Sequence, residues 1–274
     1  MNVAYGLGNL GIRSALLTHL GVDDRGARVA AHLQSVGVEL WPGSIVSETT
    51  STATARLDTQ GVATYSFDLR WSIPAPVDLN HLAAVHIGSI GAILEPGSRV
   101  VRDVFESAPP NTLRSYDPNI RPGIMGSQKQ VLETFEDLAH QAHIVKLSDE
   151  DASWLYPGRP LDKVARTMIS SGAAVVAITR GSNGCLISSS GVQIEHPANA
   201  VTVADTIGAG DAFMSGMLFA VLTANLVPTV LTGFVGNREL SFVSKVALAS
   251  AEVAVSRAGA APPTRPELRR AMLR

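Results

Sequence analysis

Short apolar runs alternate with amphipathic segments of helical period through most of this chain. The apolar runs predict strands at residues 84–87, 112–116, 144–147 and 174–178. The amphipathic segments predict helices at residues 99–107, 128–139 and 149–155. Alternating strands and helices form βαβ units, in which the strands run parallel. The pattern therefore predicts an α/β fold with a mainly parallel central sheet flanked by helices.

Other segments complete the outline. Helical spacing over residues 3–20, ended by Gly21, predicts one long helix, and residues 26–36 predict a second. Residues 184–193 resemble a hairpin. Residues 235–241 match no pattern and are predicted to be a surface loop.

The pattern of residue types changes between residues 48 and 71, where threonines alternate with small or apolar residues. A Gln60-Gly61 turn lies in the middle of this segment. The alternation predicts a hairpin of exposed strands within approximately residues 44–72.

Length and composition limit the classes of function that this chain can have. The 274 residues suit one α/β core with an appendage, so residues 1–274 are predicted to form a single domain. The formal net charge is −2, and the sequence contains no long run of like charges. Both observations argue against binding to nucleic acid or to an anionic membrane. No apolar run of about 18 residues predicts a membrane span. The single cysteine, Cys185, allows no internal disulfide, and a cytoplasmic protein with small-molecule partners is expected.

The sequence Asp205-Thr-Ile-Gly-Ala-Gly-Asp211 is the strongest chemical signal in the chain. Small residues at a helix start leave backbone N–H groups exposed, and the positive helix end attracts an anion. A carboxylate beside a phosphate pocket needs a role, such as taking a proton from an attacking hydroxyl group. The motif indicates phosphoryl transfer. Its structural alternative is a glycine-rich turn with an acidic cap.

The motif, with the Ser-Gly-Met-Leu that follows it, resembles the carboxy-terminal signature of the ribokinase-like (PfkB-type) sugar kinases. The resemblance implies a ribokinase-like fold in which the lid hairpin covers the sugar. It also implies that Asp211 is the catalytic base. The amides of Gly208, Ala209 and Gly210 would then form the anion hole for the transferred phosphoryl group.

The start of the chain matches only part of the family's first signature. Asn2, Ala4, Gly11 and Gly21 have its spacing. The strand, acidic residue and Gly-Gly pair that precede this position in members have no counterpart here. We expect either a start site farther upstream or a truncated form. Asn2 is predicted either to contact the sugar or to be a disordered terminal residue.

Polar residues follow the strand predicted at 112–116. The order Asp117-Pro-Asn119-Ile-Arg121 is similar to that of fructokinase-like members, in which this loop lies between sugar and nucleotide. The resemblance assigns Asp117 and Asn119 to the substrate and Arg121 to ATP, since arginine suits phosphate. A plain turn is the alternative.

The next two strands also end in polar residues. Lys146 would contact the ATP phosphates, and Ser148 and Asp151 stand where members have the Asn and Glu that organise magnesium through water. A helix-capping pair is the alternative for Ser148 and Asp151. Thr179 and Gly181 resemble the family's Thr-x-Gly at the ATP phosphates.

Two further assignments depend on the resemblance. In some members backbone oxygens bind a monovalent cation such as K⁺, and the matching positions here are Asp205, Ile207, Ala254 and Gly259. Arg70, at the end of the lid, would contact the substrate. As an alternative, Arg70 is a solvated charge at a strand end.

The sequence thus predicts an ATP- and Mg²⁺-dependent kinase that phosphorylates a hydroxymethyl group of a small sugar. Fructose, or a related ketose or keto-sugar acid, is favoured as the acceptor. A nucleoside such as adenosine, or a nucleotide-binding remnant without turnover, remains open. The resemblance makes homodimerisation through the lid a possibility, which the sequence neither supports nor excludes.

Overall fold

The computed structural model describes residues 1–57, 63–75 and 78–274, with only the backbone for residues 55–57 and 63–65. The described helices are α1 (Asn2–Asn9), α2 (Asp24–Gln34), α3 (Gly97–Ser107), α4 (Pro122–Met125), α5 (Gln128–Gln141), α6 (Asp149–Leu155), α7 (Leu161–Ser170), α8 (Ala209–Thr223), α9 (Val227–Leu231), α10 (Asn237–Val255) and α11 (Arg265–Ala271). The described strands are β1 (Ser14–Leu16), β2 (Leu20–Gly21), β3 (Val38–Leu40), β4 (Ile45–Val46), β5 (Thr52–Leu57), β6 (Ala63–Asp68), β7 (Ala84–Gly88), β8 (Leu113–Asp117), β9 (Ile144–Ser148), β10 (Val175–Thr179), β11 (Cys185–Ser189) and β12 (Val192–His196).

The central sheet has six strands in the order β12-β11-β10-β9-β8-β7. Strands β7 to β10 run parallel, whereas β11 and β12 form an antiparallel hairpin at one edge. This confirms the predicted α/β class with a mainly parallel sheet. Because the four parallel strands end at the same edge, the polar residues that follow them meet there.

Each face of the sheet carries a hydrophobic core. On one face α1, α8 and α10 pack over Leu113, Ile144 and Val175. On the other face α5, α6 and α7 pack over Tyr116, Val145 and other buried residues. The parallel strands are buried on both faces, which is why their sequences read as continuous apolar runs.

The long helix predicted at residues 3–20 is wrong. Helix α1 ends at Asn9, and Gly11 follows with φ +78°. The chain then forms β1, which pairs in parallel with β3. A strand of two or three residues contains too few apolar positions to show a strand period. The spacing of apolar residues therefore did not distinguish β1 and β2 from the helix before them.

The predicted hairpin is present as β5 and β6, which pair antiparallel with Thr52 opposite Asp68. The Gln60-Gly61 turn lies outside the described residues. We call β5 and β6 the lid hairpin. At its base, Asp23 caps α2 by accepting a hydrogen bond from Gly26 N at 2.8 Å and also accepts from Thr50 N and Thr50 Oγ1, each at 2.8 Å.

These bonds make stability depend on Asp23 ionisation. Hydrogen bonds from Gly26 and Thr50 lower the pKa of Asp23 from 3.8 to about 2. A depressed carboxyl pKa stabilises the fold above the unfolded value and loses that contribution as the pH falls through the folded value. We expect Asp23→Asn to lower Tm near neutral pH, and the difference from wild type to close between about pH 4 and about pH 2.

Thermal unfolding at several pH values measures this difference. Asp24→Asn, a change at the neighbouring exposed carboxylate, is the matched control. If the Tm difference between Asp23→Asn and wild type does not change with pH, the stabilising role of the ionised Asp23 carboxylate is contradicted.

Residues 235–241 are not the surface loop that was expected. Val235 and Leu240 are buried, and α10 begins at Asn237. The hydroxyl of Ser189 accepts a hydrogen bond from Val235 N at 3.2 Å, which attaches this segment to the sheet. Within the described ranges, no helix combines the length and apolar character required to cross a membrane.

Candidate active site

The amino-terminal end of α8 forms a cradle of backbone N–H groups. Gly208 caps the helix in the left-handed conformation, with φ +76° and ψ +4°. The N–H groups of Gly208, Gly210 and Asp211 have no acceptor in the described part of the chain, whereas Ala209 N donates to Thr206 O. We call these three free groups the amide cradle. They can satisfy an anion, which the helix dipole also favours.

Asp211 lies in the first turn of α8 and is half-buried. Its Oδ2 accepts a hydrogen bond from Asn2 Nδ2 at 2.9 Å. Asn2 is therefore an ordered residue of α1 that orients the carboxylate, and this contact was not foreseen from the sequence. Because the two residues are 209 positions apart, only the tertiary structure reveals the contact.

A buried ion pair lies beneath the cradle. Lys146 Nζ lies 3.0 Å from Asp117 Oδ2, and only 4% of each side chain is exposed. A Cβ atom built on Gly210 would lie 2.8 Å from Nζ of Lys146. The ammonium group therefore reaches the start of α8, and glycine at position 210 leaves room for it.

Electrostatics keep this lysine charged. Burial acts to lower the pKa of Lys146, but the carboxylates of Asp117, Asp151 and Asp211 outweigh it, so the pKa is raised. Burial raises the pKa of Asp117 from 3.8 to about 6, against the attraction of Lys146.

Ser148 and Asp151 form the capping box that was the structural alternative for them. Ser148 Oγ accepts from Asp151 N, and Asp151 Oδ2 accepts from Ser148 N, each at 2.9 Å. Asp151 Oδ1 accepts from Ile120 N at 2.8 Å. Asp151, in the first turn of α6, thus joins the end of β9 to the loop after β8 and fixes both at the sheet edge.

The other predicted phosphate contacts lie at the same edge. Thr179 ends β10 opposite Ser148, with its Oγ1 donating to Leu147 O at 3.3 Å. Gly181 follows with φ +52° and open space around it. Arg121 is exposed, and its guanidinium donates to Ile120 O at 2.8 Å, so it folds back on its own loop. Asn119 has φ +40° in that loop.

The four residues predicted to bind a monovalent cation belong to one small cluster. Asp205 Oδ1 accepts from Ile207 N at 3.0 Å, and Oδ2 accepts from Gly259 N at 2.8 Å. The carbonyl of Ala254 accepts from Arg257 N. These bonds attach the start of the glycine motif to the segment after α10, and cation binding there remains a prediction.

The lid hairpin closes one side of a cavity of about 670 Å³. Residues on one face of α2 line one wall, and the start of the hairpin lines the other. The lining residues are Met1, Arg25, Arg28, Val29, His32, Thr50, Ser51, Thr52, Ala53 and Thr54. Met1 lines this cavity, and the neighbouring Asn2 donates to Asp211, which links the cavity wall to the carboxylate.

Arg70 does not line this cavity. It is exposed at the base of the lid hairpin, where its Nε donates to Thr49 Oγ1 at 3.2 Å. The position fits the alternative of a solvated charge near a strand end. Across the described ranges, no group of three or more His, Cys, Asp or Glu side chains is placed to hold a metal ion.

Comparison with known proteins identifies the family of this chain. The model of the pfkB family carbohydrate kinases matches residues 1–267. The chain belongs to this family. Its enzyme class, a carbohydrate kinase, follows, and the resemblance found in the glycine motif is confirmed.

Relatives and solved structures agree. The fructokinase of Rhizobium leguminosarum bv. trifolii is 31% identical over 233 residues, which are 82% of this chain and 71% of the relative. The crystal structure of Vibrio cholerae O395 fructokinase with fructose, ADP and calcium ion has a TM-score of 0.79 at 22% identity, covering 99% of this chain and 89% of that one. Thermotoga maritima ribokinase has a TM-score of 0.73 at 18% identity, covering 100% and 86%. The ribokinase-like fold and the fructokinase-like character of this pfkB member are confirmed.

Proposed function

We propose that this chain transfers the γ-phosphoryl group of ATP to a hydroxymethyl group of a small ketose of the fructose type, with Asp211 as the general base. One observation carries the proposal: the Asp211 carboxylate, held by Asn2, stands at the amide cradle. A base and an anion site so close together suit an alcohol that attacks a phosphoryl group. The fructokinases among its relatives support the acceptor class.

Each part of the site then has a role. Asp211 takes the proton from the hydroxymethyl group as its oxygen attacks, and the amide cradle neutralises charge on the transferred group. Lys146 adds a fixed positive charge, while Thr179 and Gly181 lie where the remaining phosphates extend along the sheet edge. Asp117 ends β8, Asn119 lies in the loop that follows, and both would lie between the two substrates.

Charge balance supports a role for magnesium. Asp117, Asp151 and Asp211 place three carboxylates around one ammonium group, so a polyphosphate needs a cation with it. Each Asp151 oxygen accepts one N–H and keeps lone pairs for a metal-bound water, and Ser148 can donate its hydroxyl proton. Mg²⁺ keeps much of its hydration, so these residues would hold it through water. Bound there, it would neutralise charge on the phosphates.

The acceptor binds in the cavity between α2 and the lid hairpin. Hydroxyl groups from Thr52 and Thr54 on the hairpin side suit a polyol. Binding of both substrates closes the hairpin and excludes water, which prevents idle hydrolysis of ATP. A cytoplasmic location, a K⁺ ion near Asp205 and dimerisation through the hairpin belong to the same family-based proposal.

A keto-sugar acid is the second candidate acceptor. Arg25 and Arg28 lie on the cavity wall, and neither side chain has a carboxylate partner in the described ranges. A free guanidinium is well suited to a substrate carboxylate. If the acid is the acceptor, Arg28→Ala lowers kcat/KM for the acid at least about tenfold and leaves fructose within about twofold.

A coupled ADP-release assay over a panel of ketoses, keto-sugar acids, aldoses and nucleosides tests the proposal. We expect ADP release to depend on added sugar, with fructose or a related ketose giving the highest kcat/KM. A highest value with a keto-sugar acid selects the second candidate. Release that is the same with and without every acceptor would refute the kinase assignment for this chain.

A further inference from the structure

The ammonium group of Lys146 is only partly satisfied. It has three N–H donors, and Asp117 Oδ2 accepts one of them. No other acceptor for it exists among the described residues, although the side chain is almost fully buried. Buried donors without an acceptor are costly. The remaining donors therefore require an acceptor from outside the chain.

The position of that acceptor follows from the neighbours of Nζ. The ammonium group lies against Gly210, at the start of α8. The unpaired N–H groups of Gly208, Gly210 and Asp211 belong to the same turn. Donors of both kinds thus face one place, and an ammonium group beside free amides is the chemistry that binds a phosphoryl group.

Asp117 is placed to hold this ammonium group. Its Oδ1 is buried and has no hydrogen-bond partner within the described ranges, so the hydrogen bond found there for this carboxylate is the one that Oδ2 accepts from Lys146. Residue 88 on the neighbouring strand is glycine, because a Cβ there would lie 2.2 Å from Asp117 O. The fit of β7 against this strand end fixes the backbone from which the carboxylate projects.

We propose that Asp117 is a positioning residue, which holds the Lys146 ammonium group against the amide cradle so that it contacts the γ-phosphoryl group. This inference rests on the proposed function, because it concerns the same transfer. It replaces the substrate-binding role that the sequence suggested for Asp117 with one exerted through Lys146.

The test separates a positioning role from a structural one. The single variants Asp117→Asn and Lys146→Met each leave one buried charge unpaired, and we expect Tm to fall by about 5–10 °C in each. The double variant Asp117→Asn/Lys146→Met removes both charges, so we expect most of the Tm to return. We expect kcat to fall at least about tenfold in all three variants and not to recover in the double variant.

Recovery of both Tm and kcat in the double variant would show that the pair is structural only. Near-normal kcat in Asp117→Asn, with the protein folded, would also overturn the proposal.

Nucleotide affinity gives a readout that needs no acceptor. Calorimetry with ADP and with the imido analogue of ATP reports the γ-phosphoryl contact as a ratio of Kd values. We expect the preference for the analogue over ADP to fall about tenfold in Asp117→Asn and in the double variant. An unchanged ratio contradicts the positioning role. A wild-type chain that phosphorylates no acceptor refutes the proposed function instead, and the ratio is still measurable.

Gly210→Ala displaces the ammonium group without removing a charge, since the new Cβ would lie 2.8 Å from Nζ. We expect Tm within about 3 °C of wild type, because alanine favours the helix, and the same loss of preference for the analogue. Gly123→Ala, in α4 with open space around it, is the matched control and should leave the ratio unchanged. An unchanged ratio in Gly210→Ala places the phosphoryl group away from Lys146 and refutes the contact.

Discussion

Asp211→Ala should retain ATP binding and lose at least about a hundredfold in kcat, the usual scale of a general base. In the proposed mechanism this carboxylate takes the proton, and Asn2 Nδ2 donates a hydrogen bond to it at 2.9 Å. The amide cradle is backbone and survives the substitution, so nucleotide affinity should stay within about threefold. Steady-state kinetics with the preferred sugar and calorimetry with ATP measure the two quantities.

The control for Asp211→Ala is Asp103→Ala, which removes an exposed carboxylate of α3. It should leave kcat and ATP affinity unchanged. Near-normal turnover in Asp211→Ala would remove the residue from the reaction, and the base would have to be sought elsewhere in the cavity.

Gly208→Ala should give the second largest effect, on activity and stability together. The left-handed backbone at φ +76° costs a non-glycine residue roughly 1–2 kcal/mol. The new Cβ would also lie 2.8 Å from Ala260 Cβ, so the turn must shift. A shifted turn misdirects the amide cradle, and removal of one such donor typically costs about 10²–10³ in kcat. We expect kcat to fall at least about fiftyfold and Tm to fall by roughly 3–6 °C.

Thermal unfolding and steady-state kinetics test this prediction, with Gly123→Ala as the control for the substitution itself. A variant that loses stability but keeps its turnover would show that the turn does not hold the transferred group.

The sequence predicted the sheet well because its strands are buried on both faces. The prediction for β9 stopped one residue short of the observed end at Ser148, and α6 was predicted at its observed bounds, Asp149–Leu155. A Ser148 cap before an acidic first turn marks that boundary within the sequence itself. Residues 3–20 failed because β1 is only three residues long and is specified by its pairing with β3. The secondary structure of residues 10–20 is therefore set by tertiary contacts and not by the local sequence.

For the candidate site, the sequence predicted a group of residues but few of their contacts. The glycine motif predicts exposed amides at the start of α8, because backbone exposure at a helix start is a local property. The predicted set included Ala209, whose N–H instead donates to Thr206 O, and did not include the N–H of Asp211. Lys146 was assigned only to the ATP phosphates, and its burial and its ion pair with Asp117 are visible only in the structure. The contact of Asn2 with Asp211 spans 209 positions, and no local pattern encodes such a distance.

The contacts of Asp151 suggest how the sugar specificity of this fold can be changed. By joining the loop after β8 to the start of α6, it ties the proposed phosphate side of the cleft to the sheet. The proposed acceptor side is built from α2 and the hairpin, which meet at Asp23 and Thr50. Under the proposed function, grafting a foreign hairpin onto that junction should therefore exchange the sugar preference and leave the transfer residues in place.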